Sequence, residues 1–418
     1  MTTSTKEAAQ RLLMADDEAN NLAMWASRDM GIYLHIPFCR QKCSYCDFAA
    51  YEGLEAYYDD YVDALIREIT LWANAHPAST TVPVRSVYFG GGTPTQLSKA
   101  HWDAIFTALH RHYTIDTAAE ITTEANPGEI TRSYLAHLRA LGINRISFGI
   151  QTFDENSLAL LRRGHTAKEA LQALIDAEAV GFSHINGDLI YALPGQTLAQ
   201  LTSNIQRLVT LPVDHISIYG LQLEKGTNLE KQVRTQKVTL PDEDEAEQMY
   251  DTMLAQLDIH GYERYEISNF ARNGAYSRHN TRYWHYGDYL GFGCGAHSLY
   301  KAVRRGNEPL VVPYIQAIRE GRLPHVERRI VTATEAQEDF CFLALRTKWG
   351  LQAKLYKEHF GESVVDRYGT IINRLIHNGL LQVSKWGSAE EPAWTLTAKG
   401  AKYGNHVFEE FIGVDEAE

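Results

Sequence analysis

The segment Ile32-Tyr33-Leu34-His35-Ile36-Pro37-Phe38-Cys39 is a β-rich run that leads directly into the first of three closely spaced cysteines. Five further β-rich runs follow, and stretches with helical periodicity separate them. The β-rich runs cover residues 86–89, 120–123, 145–150, 185–190 and 215–219, and the helical stretches cover residues 56–73, 98–112, 131–141, 167–180, 198–209 and 242–260. Alternation at this spacing indicates parallel strands joined by right-handed crossovers. We therefore predict an α/β fold built on an incomplete (β/α)6 barrel, with a doubly wound open sheet as the competing topology.

Three of the five cysteines, Cys39, Cys43 and Cys46, lie just past the first predicted strand. Thiolates are soft ligands that suit iron–sulfur clusters, zinc and Cu(I). A closed zinc site requires four protein ligands, whereas three thiolates can hold three irons of a cubane and leave the fourth iron open to a small molecule. The spacing alone leaves open an iron–sulfur cluster, a zinc site completed by a residue such as His35, and buried or redox-active thiols. The odd number of cysteines makes a disulfide framework a poor alternative and favours a reducing compartment.

Polar or glycine-rich residues also lie at the ends of the other predicted strands, where the chemistry of parallel barrels collects. The second strand ends in Gly90-Gly91-Gly92-Thr93-Pro94, whose glycines let the backbone approach a ligand closely. A plain turn is the simpler interpretation, and no Gly-Lys-Ser/Thr follows that would indicate a Walker A loop. Glu124 follows the third strand, Gln151 follows the fourth, and Asp188 lies on the fifth. We expect these positions to meet at one end of the barrel.

The spacing Cys-x3-Cys-x2-Cys resembles the signature of the radical S-adenosylmethionine (SAM) superfamily. The wider string at residues 33–39 resembles a narrower group, oxygen-independent coproporphyrinogen III oxidase (HemN) and its relatives, and this resemblance extends from Gly31 to the C-terminus. It implies a 4Fe–4S cluster on the three cysteines, with SAM at the open iron. An arginine can pair with the SAM carboxylate, and carboxylates can accept from its ribose or ammonium group. The resemblance implies SAM contacts at Tyr33, Tyr45, Gly91, Gly92, Thr93, Glu124, Gln151, Arg163 and Asp188.

Two features resemble the HemW branch of this group, whose members are regarded as heme chaperones. The oxidases carry a further cysteine two residues after the third, and Phe48 occupies that position here. Residues 279–284 read His-Asn-Thr-Arg-Tyr-Trp and resemble the HemW heme-binding motif, which implies heme contacts at His279, Asn280, Tyr283 and Trp284. Neutral imidazole is a good axial ligand of heme iron, and Tyr and Trp can pack on a flat macrocycle. Without the resemblance, a hydrogen-bonded structural histidine is the favoured interpretation of His279.

A glycine-rich segment at residues 287–298 is also familiar from this group and indicates a tight, buried loop. Cys294 or His297 in this segment could offer a second iron ligand, but we favour packing roles for both. Cys341 lies on an apolar helical stretch and is expected in the core.

The sequence pattern divides the chain into four segments. We predict a loose helix or disordered extension at residues 1–30 and the partial barrel at residues 31–260. Residues 261–334 form an aromatic- and glycine-rich extension with the heme motif, and residues 335–418 form an α+β winged-helix-like domain. That last segment holds 9 Lys and Arg against 13 Asp and Glu, and the whole chain has a net charge of −12. These charges argue against nucleic acid as a partner.

The sequence shows neither a signal-peptide pattern nor an apolar run near the ~20 residues that cross a bilayer. We therefore expect a cytoplasmic protein, and leave open a peripheral contact at the inner membrane surface and a homodimer. The leading hypothesis is a heme chaperone that delivers heme to an acceptor apo-haemoprotein, membrane-associated or not, and depends on a SAM-bound 4Fe–4S cluster. This hypothesis leans against an enzyme. The alternatives are a radical SAM coproporphyrinogen III oxidase and a radical SAM enzyme that acts on heme itself.

Overall fold

The computed structural model describes residues 29–413. The extension expected at residues 1–30 therefore lies outside the described residues, apart from Asp29 and Met30. Six parallel strands lie side by side in the order of the chain. They are β1 (Met30–Ile36), β2 (Val84–Gly91), β3 (Ile115–Ala125), β4 (Arg145–Gln151), β5 (His184–Tyr191) and β6 (His215–Gly220).

Helices follow each strand of this parallel sheet. They are α1 (Tyr58–Ala75), α2 (Pro77–Thr80), α3 (Lys99–His112), α4 (Arg132–Ala140), α5 (Glu155–Leu160), α6 (Ala167–Ala179), α7 (Leu198–Val209), α8 (Asn228–Arg234) and α9 (Glu243–Ile259), with short 3-10 turns at Glu55–Tyr57, Pro94–Gln96 and Pro127–Glu129. Ser98, Thr166, Thr197 and Asp242 cap the first turns of α3, α6, α7 and α9 by accepting a hydrogen bond from a backbone N–H three residues later. Such caps satisfy N–H groups that have no partner inside the helix, and they fix where each helix begins.

The strand order decides between the two predicted topologies. A doubly wound sheet reverses its strand order at a switch point, whereas β1 to β6 are neighbours in unbroken chain order. Side chains alternate across each strand, so Ile32, Leu34 and Ile36 of β1 are fully buried in the core, while Tyr33 and His35 face the other side of the sheet. A polar concave face and an apolar, helix-covered convex face together describe a partial barrel, which confirms the predicted fold.

Residues 261–334 extend the sheet at both edges, which the sequence pattern did not predict. The added strands are β7 (Glu263–Arg264), β8 (Asn269–Ala271), β9 (Tyr289–Phe292), β10 (His297–Tyr300), β11 (Val303–Asn307) and β12 (His325–Ile330), and the segment also forms helices α10 (Arg278–Trp284) and α11 (Val311–Arg319). Strands β8 and β7 follow β6, whereas β9 pairs in parallel with β1 and leads to the antiparallel strands β10, β11 and β12. The result is a twelve-stranded sheet.

The C-terminal part forms its own small core. Its elements are α12 (Ala333–Leu345), β13 (Leu351–Gln352), α13 (Ala353–Phe360), α14 (Val364–His377), β14 (Leu381–Val383), β15 (Ala393–Leu396), α15 (Ala398–Lys402) and α16 (Gly404–Glu409). Cys341 is fully buried in this core, as expected. Tyr286 and Leu299 from the extension join the same apolar cluster, so the C-terminal part packs against the extension near β9 and β10. In the described part of the chain, no helix has both the length and the apolar composition that crossing a membrane requires.

Candidate functional site

The three cysteines lie on the loop after β1, at the C-terminal end of the parallel strands, and each thiol is partly exposed. The backbone N–H of Cys39 donates to Tyr51 O at 2.9 Å, which ties the start of this loop to its end. Two neighbouring loops also contact the thiols. Thr93 Oγ1 donates to Cys39 Sγ at 3.6 Å, and Arg163 Nη1 donates to Cys43 Sγ at 3.0 Å.

His35, the residue considered as a fourth ligand of a zinc site, is not available to bind a metal. His35 Nδ1 is hydrogen-bonded to Tyr33 Oη at 3.0 Å, and His35 Nε2 to Ala49 O at 2.9 Å, so neither ring nitrogen is free for a metal. Within residues 29–413, no group of three or more His, Cys, Asp or Glu side chains is arranged to hold one metal ion. A cubane has no such requirement, because each of its irons takes a single thiolate. Burial raises the pKa of Cys39 to about 11, so binding of iron at this thiol must displace a proton.

The glycines after β2 leave room beside the cysteines. A Cβ on Gly92 would lie 2.7 Å from Phe38 O and 3.0 Å from Cys39 Sγ. Gly91 has a φ of +116°, a conformation that favours glycine, and its N–H donates to Glu124 Oε2 at 3.3 Å. The loop therefore brings backbone, rather than side chains, next to the first cysteine.

Arg163 is a half-buried cation at the cysteine loop. Its Nη2 donates to Asn126 Oδ1 and to Gly149 O, each at 2.6 Å, while its Nη1 contacts Cys43. Its Nε is buried and has no hydrogen-bond partner among the described residues. A buried donor left unsatisfied costs about 1–3 kcal/mol, so this position favours an anionic ligand that would accept from it.

Two carboxylates line the concave face below this end of the barrel. Glu124 accepts from Tyr88 Oη at 2.7 Å, and burial raises the pKa of Glu124 to about 7. Asp188 accepts from Ser147 Oγ at 3.2 Å and from Asn186 Nδ2 at 2.5 Å, and burial raises its pKa to about 6. Both groups titrate near neutral pH, so each can take the charged form when a cationic or hydroxyl-bearing ligand binds.

The remaining positions expected to contact SAM lie in the same region. Tyr33 stacks on Tyr88 with ring centroids 6.1 Å apart, and Tyr45 packs on a small apolar cluster next to the cysteine loop. Gln151 has a φ of +68°, which is uncommon for a residue other than glycine, and it lies at an irregularity in the pairing of β4 with β5. The structure thus places all nine positions at the C-terminal ends of β1 to β5 or on the concave face just below them. Their role in binding SAM stays a prediction.

Sequence reasoning missed three polar residues of this site. Asn126 donates to Thr93 Oγ1 at 3.0 Å and accepts from Arg163, so it links two of the expected positions. Its place three residues after a predicted strand, and two residues after Glu124, was a usable signal. Ser147 and Asn186 lie inside strands. A polar residue on one face of a strand does not by itself indicate which ligand it contacts.

The motif histidine His279 lies on α10, next to Ser86 near the N-terminal end of β2. It is fully buried, its Nδ1 is hydrogen-bonded to Ser86 Oγ at 2.9 Å, and its Nε2 is hydrogen-bonded to Tyr283 Oη at 2.7 Å. Burial lowers the pKa of His279 to about 3, so the ring is neutral. The expected direct heme contact at His279 does not agree with this geometry, because both ring nitrogens are already bonded and no surface is open to a ligand.

The other motif residues point in different directions. Asn280 lines a small polar cavity of 60 Å³ together with Asp188. The Trp284 ring lies under the Arg346 guanidinium, 4.6 Å from the ring centroid, and so faces the C-terminal part. Of the four expected heme contacts, Tyr283 alone lines the larger cavity described next.

A cavity of 770 Å³, here called the lateral cavity, opens beside β1 between the concave face and the C-terminal part. Gly91 and Glu124 line one end of it, and its other lining residues include Phe48, Tyr283 and His297. Its volume falls within the roughly 300–1,000 Å³ typical of ligand and cofactor sites.

The two candidate ligands in the glycine-rich segment differ in their surroundings. Cys294 is fully buried, and burial raises its pKa to about 12, which agrees with the expected packing role. His297 is exposed and lines the lateral cavity, so the expected packing role is wrong for this residue. No local pattern separates them, because both lie in the same glycine-rich segment.

Two family models match the chain: the radical SAM superfamily at residues 33–208 and the HemN C-terminal domain at residues 331–387. The heme chaperone HemW of Bacillus subtilis is 34% identical over 382 residues, which cover 91% of this chain and 98% of that protein. The heme chaperone HemW of Lactococcus lactis is 33% identical over 380 residues, with coverage of 91% and 96%. The solved coproporphyrinogen III oxidase HemN of Escherichia coli shares the fold, with a TM-score of 0.80, 24% identity, and coverage of 94% of this chain and 92% of that chain.

Membership of the radical SAM superfamily implies a 4Fe–4S cluster and SAM, and the residues present fit both groups. Three thiols lie on one loop, Gly92 leaves space beside Cys39, and the buried Arg163 Nε awaits an acceptor. The similarity to these two relatives covers 91% of the chain. The chain belongs to the HemW family of the radical SAM superfamily.

Proposed function

We propose that this protein is a heme chaperone, which binds heme, delivers it to an acceptor apo-haemoprotein and depends on a SAM-bound 4Fe–4S cluster. The observation that carries the proposal is the lateral cavity, which is of cofactor size and adjoins the cysteine loop through Phe48 and Ala49. The relatives named heme chaperones support it. Location in the cytoplasm or at the inner membrane surface, and a homodimer, stay predictions from the sequence.

The proposed binding of the cofactors follows from charge and hydrogen bonding. Cys39, Cys43 and Cys46 would hold the cluster, and the Arg163 Nε–H would donate a hydrogen bond to the SAM carboxylate. Glu124 and Asp188 would accept from the ammonium or ribose groups of SAM. When bound, a reduced cluster can supply an electron to SAM. The protein itself binds and orients the cluster and SAM, and it holds them in a site that is partly shielded from water.

Phe48 favours a carrier over the oxidase. This side chain stands where the oxidases have a further cysteine, it is 66% exposed, and it lies at the lateral cavity. An exposed phenyl ring cannot replace the chemistry of a thiol, but it can pack on a flat apolar ligand. A cavity with an exposed aromatic at its edge suits a ligand that must enter and leave intact.

Anaerobic turnover tests the carrier against the two enzymatic alternatives. We expect cluster-loaded protein with SAM, dithionite and coproporphyrinogen III to form no protoporphyrinogen above the level of protein without SAM. With heme instead of coproporphyrinogen, we expect the heme spectrum to stay intact and the heme to pass to an added apo-haemoprotein, faster from cluster-loaded than from cluster-free protein.

Multiple turnovers of coproporphyrinogen would contradict the carrier and favour the oxidase. Loss of heme absorbance together with consumption of SAM would favour an enzyme that acts on heme.

A further inference from the structure

Three histidines lie close to the cysteine loop or to the lateral cavity, but they differ in whether their ring nitrogens are free. The two ring nitrogens of His35 are bonded to Tyr33 and Ala49, and those of His279 are bonded to Ser86 and Tyr283. His297 is exposed in the lateral cavity, and its ring has no hydrogen-bond partner among residues 29–413. A ligand to iron needs a free nitrogen lone pair, which only the last of these rings offers without breaking a bond.

The backbone of His297 is held firmly while its side chain is free. His297 begins β10 and pairs with Gly306 of β11. A Cβ on Gly291 would lie 2.0 Å from His297 O, so β9 and β10 approach each other closely at this point. A Cβ on Gly306 would lie 3.1 Å from His297 Cε1, and its absence leaves space beside the imidazole. A rigid backbone that carries an unpaired ring is a suitable support for an axial ligand.

The surroundings of His297 match the two chemical faces of heme. Aromatic and aliphatic groups line the cavity, among them Tyr286, Tyr289 and Leu299, and they suit a flat apolar macrocycle. Charged groups also line it, among them Arg304, Arg329 and Glu327.

The two arginines are already paired with acidic side chains. Arg304 Nη2 lies 2.5 Å from Asp339 Oδ2, and Arg329 Nη1 lies 2.6 Å from Glu335 Oε1. Burial raises the pKa of Asp339 to about 6, so this carboxyl can give up its charge when another anion approaches Arg304. Guanidinium groups bind carboxylates through two parallel hydrogen bonds, and they would serve the propionates of heme in the same way.

We infer that His297, and not the motif residue His279, is the axial ligand of heme in the lateral cavity, with the heme propionates directed to Arg304 and Arg329. The inference rests on the proposed function, since it presupposes that the protein binds heme. His279 is then a positioning residue, which holds Tyr283 at the cavity wall through their hydrogen bond. Because Gly91 and Glu124 line the other end of this cavity, heme and SAM would occupy adjoining volumes.

Heme titration of anaerobically cluster-loaded full-length variants tests this assignment, with absorbance and electron paramagnetic resonance as readouts. The variants are His297→Ala, His279→Ala and the control His377→Ala, which removes an exposed histidine on α14. We expect His297→Ala to weaken heme binding by about tenfold or more, to shift the Soret maximum, and to regain the wild-type spectrum when imidazole is added. His279→Ala should keep the wild-type Soret maximum and paramagnetic resonance signature, because His297 is still present, while it lowers thermal stability and weakens heme affinity through the released Tyr283. His377→Ala should change none of these.

Equal iron and sulfide contents in all variants would show that each one has folded around its cluster. Wild-type spectrum and affinity in His297→Ala would overturn the assignment, as would loss of the axial-ligand signature in His279→Ala with restoration by imidazole. In both of these cases the proposed heme chaperone would stand, because wild-type protein would still bind heme. Absence of heme binding by the wild type would overturn the proposed function and this assignment together.

Discussion

Replacing Cys43 by serine should abolish assembly of the 4Fe–4S cluster, so that iron and sulfide fall from about four of each per chain to background. Cys43 is held in place by Arg163 Nη1, which donates to its Sγ at 3.0 Å. Removing one of three thiolates leaves an iron of the cubane without a protein ligand, and a hydroxyl is a poor replacement for a soft thiolate. The measurement is iron and sulfide analysis after anaerobic reconstitution.

The matched control for this experiment is Cys341→Ala, which removes a thiol that is fully buried in the C-terminal core. This variant should keep its full iron and sulfide content. A Cys43→Ser protein with full cluster content would contradict the assignment of the cysteine loop, and wild-type protein that binds zinc without sulfide would contradict the cluster itself.

Replacing Glu120 by leucine should lower the free energy of unfolding by about 3–5 kcal/mol, because it leaves a buried arginine without its counter-charge. Glu120 and Arg145 are both buried, with Arg145 Nη1 3.5 Å from Glu120 Oε2. Glu120 Oε1 also accepts from the backbone N–H of His279 at 3.0 Å, so the same carboxylate anchors the start of α10. Urea denaturation of the full chain, followed by circular dichroism, gives the change in stability.

The matched control is Glu391→Leu, which removes an exposed carboxylate that lies 4.0 Å from Lys354. Surface pairs of this kind contribute little, so this variant should differ from the wild type by no more than about 0.5 kcal/mol. A Glu120→Leu protein that is as stable as the control would show that the buried pair does not hold α10 in the barrel.

The sequence predicted the partial barrel well because its strands and helices each carry a local signal. For example, the predicted helix at residues 198–209 has the same bounds as α7, whose first turn is capped by Thr197. The added strands β9 and β11 carry no such signal, because they are short and interrupted by glycine or arginine. The pairing of Tyr289 with Gly31 joins residues that are far apart in the chain, and no local pattern encodes it.

The candidate site likewise combines residues that local sequence could locate with residues whose surroundings depend on distant parts of the chain. The cysteine loop, the glycine loop and Glu124 could be located because each directly follows a predicted strand. The surroundings of His279 could not be predicted, because its partner Ser86 lies 193 residues earlier in the chain. A sequence motif shows that a histidine is present, but whether its ring nitrogens are free depends on tertiary contacts.

Titration of heme into anaerobically reconstituted wild-type protein, followed in the Soret band, tests the proposed heme chaperone most directly. Because heme adheres to many proteins, the stoichiometry matters more than binding itself. We predict saturation at one heme per chain, with a single spectral form throughout the titration. Absence of binding, or continued uptake beyond one heme without saturation, would contradict the account.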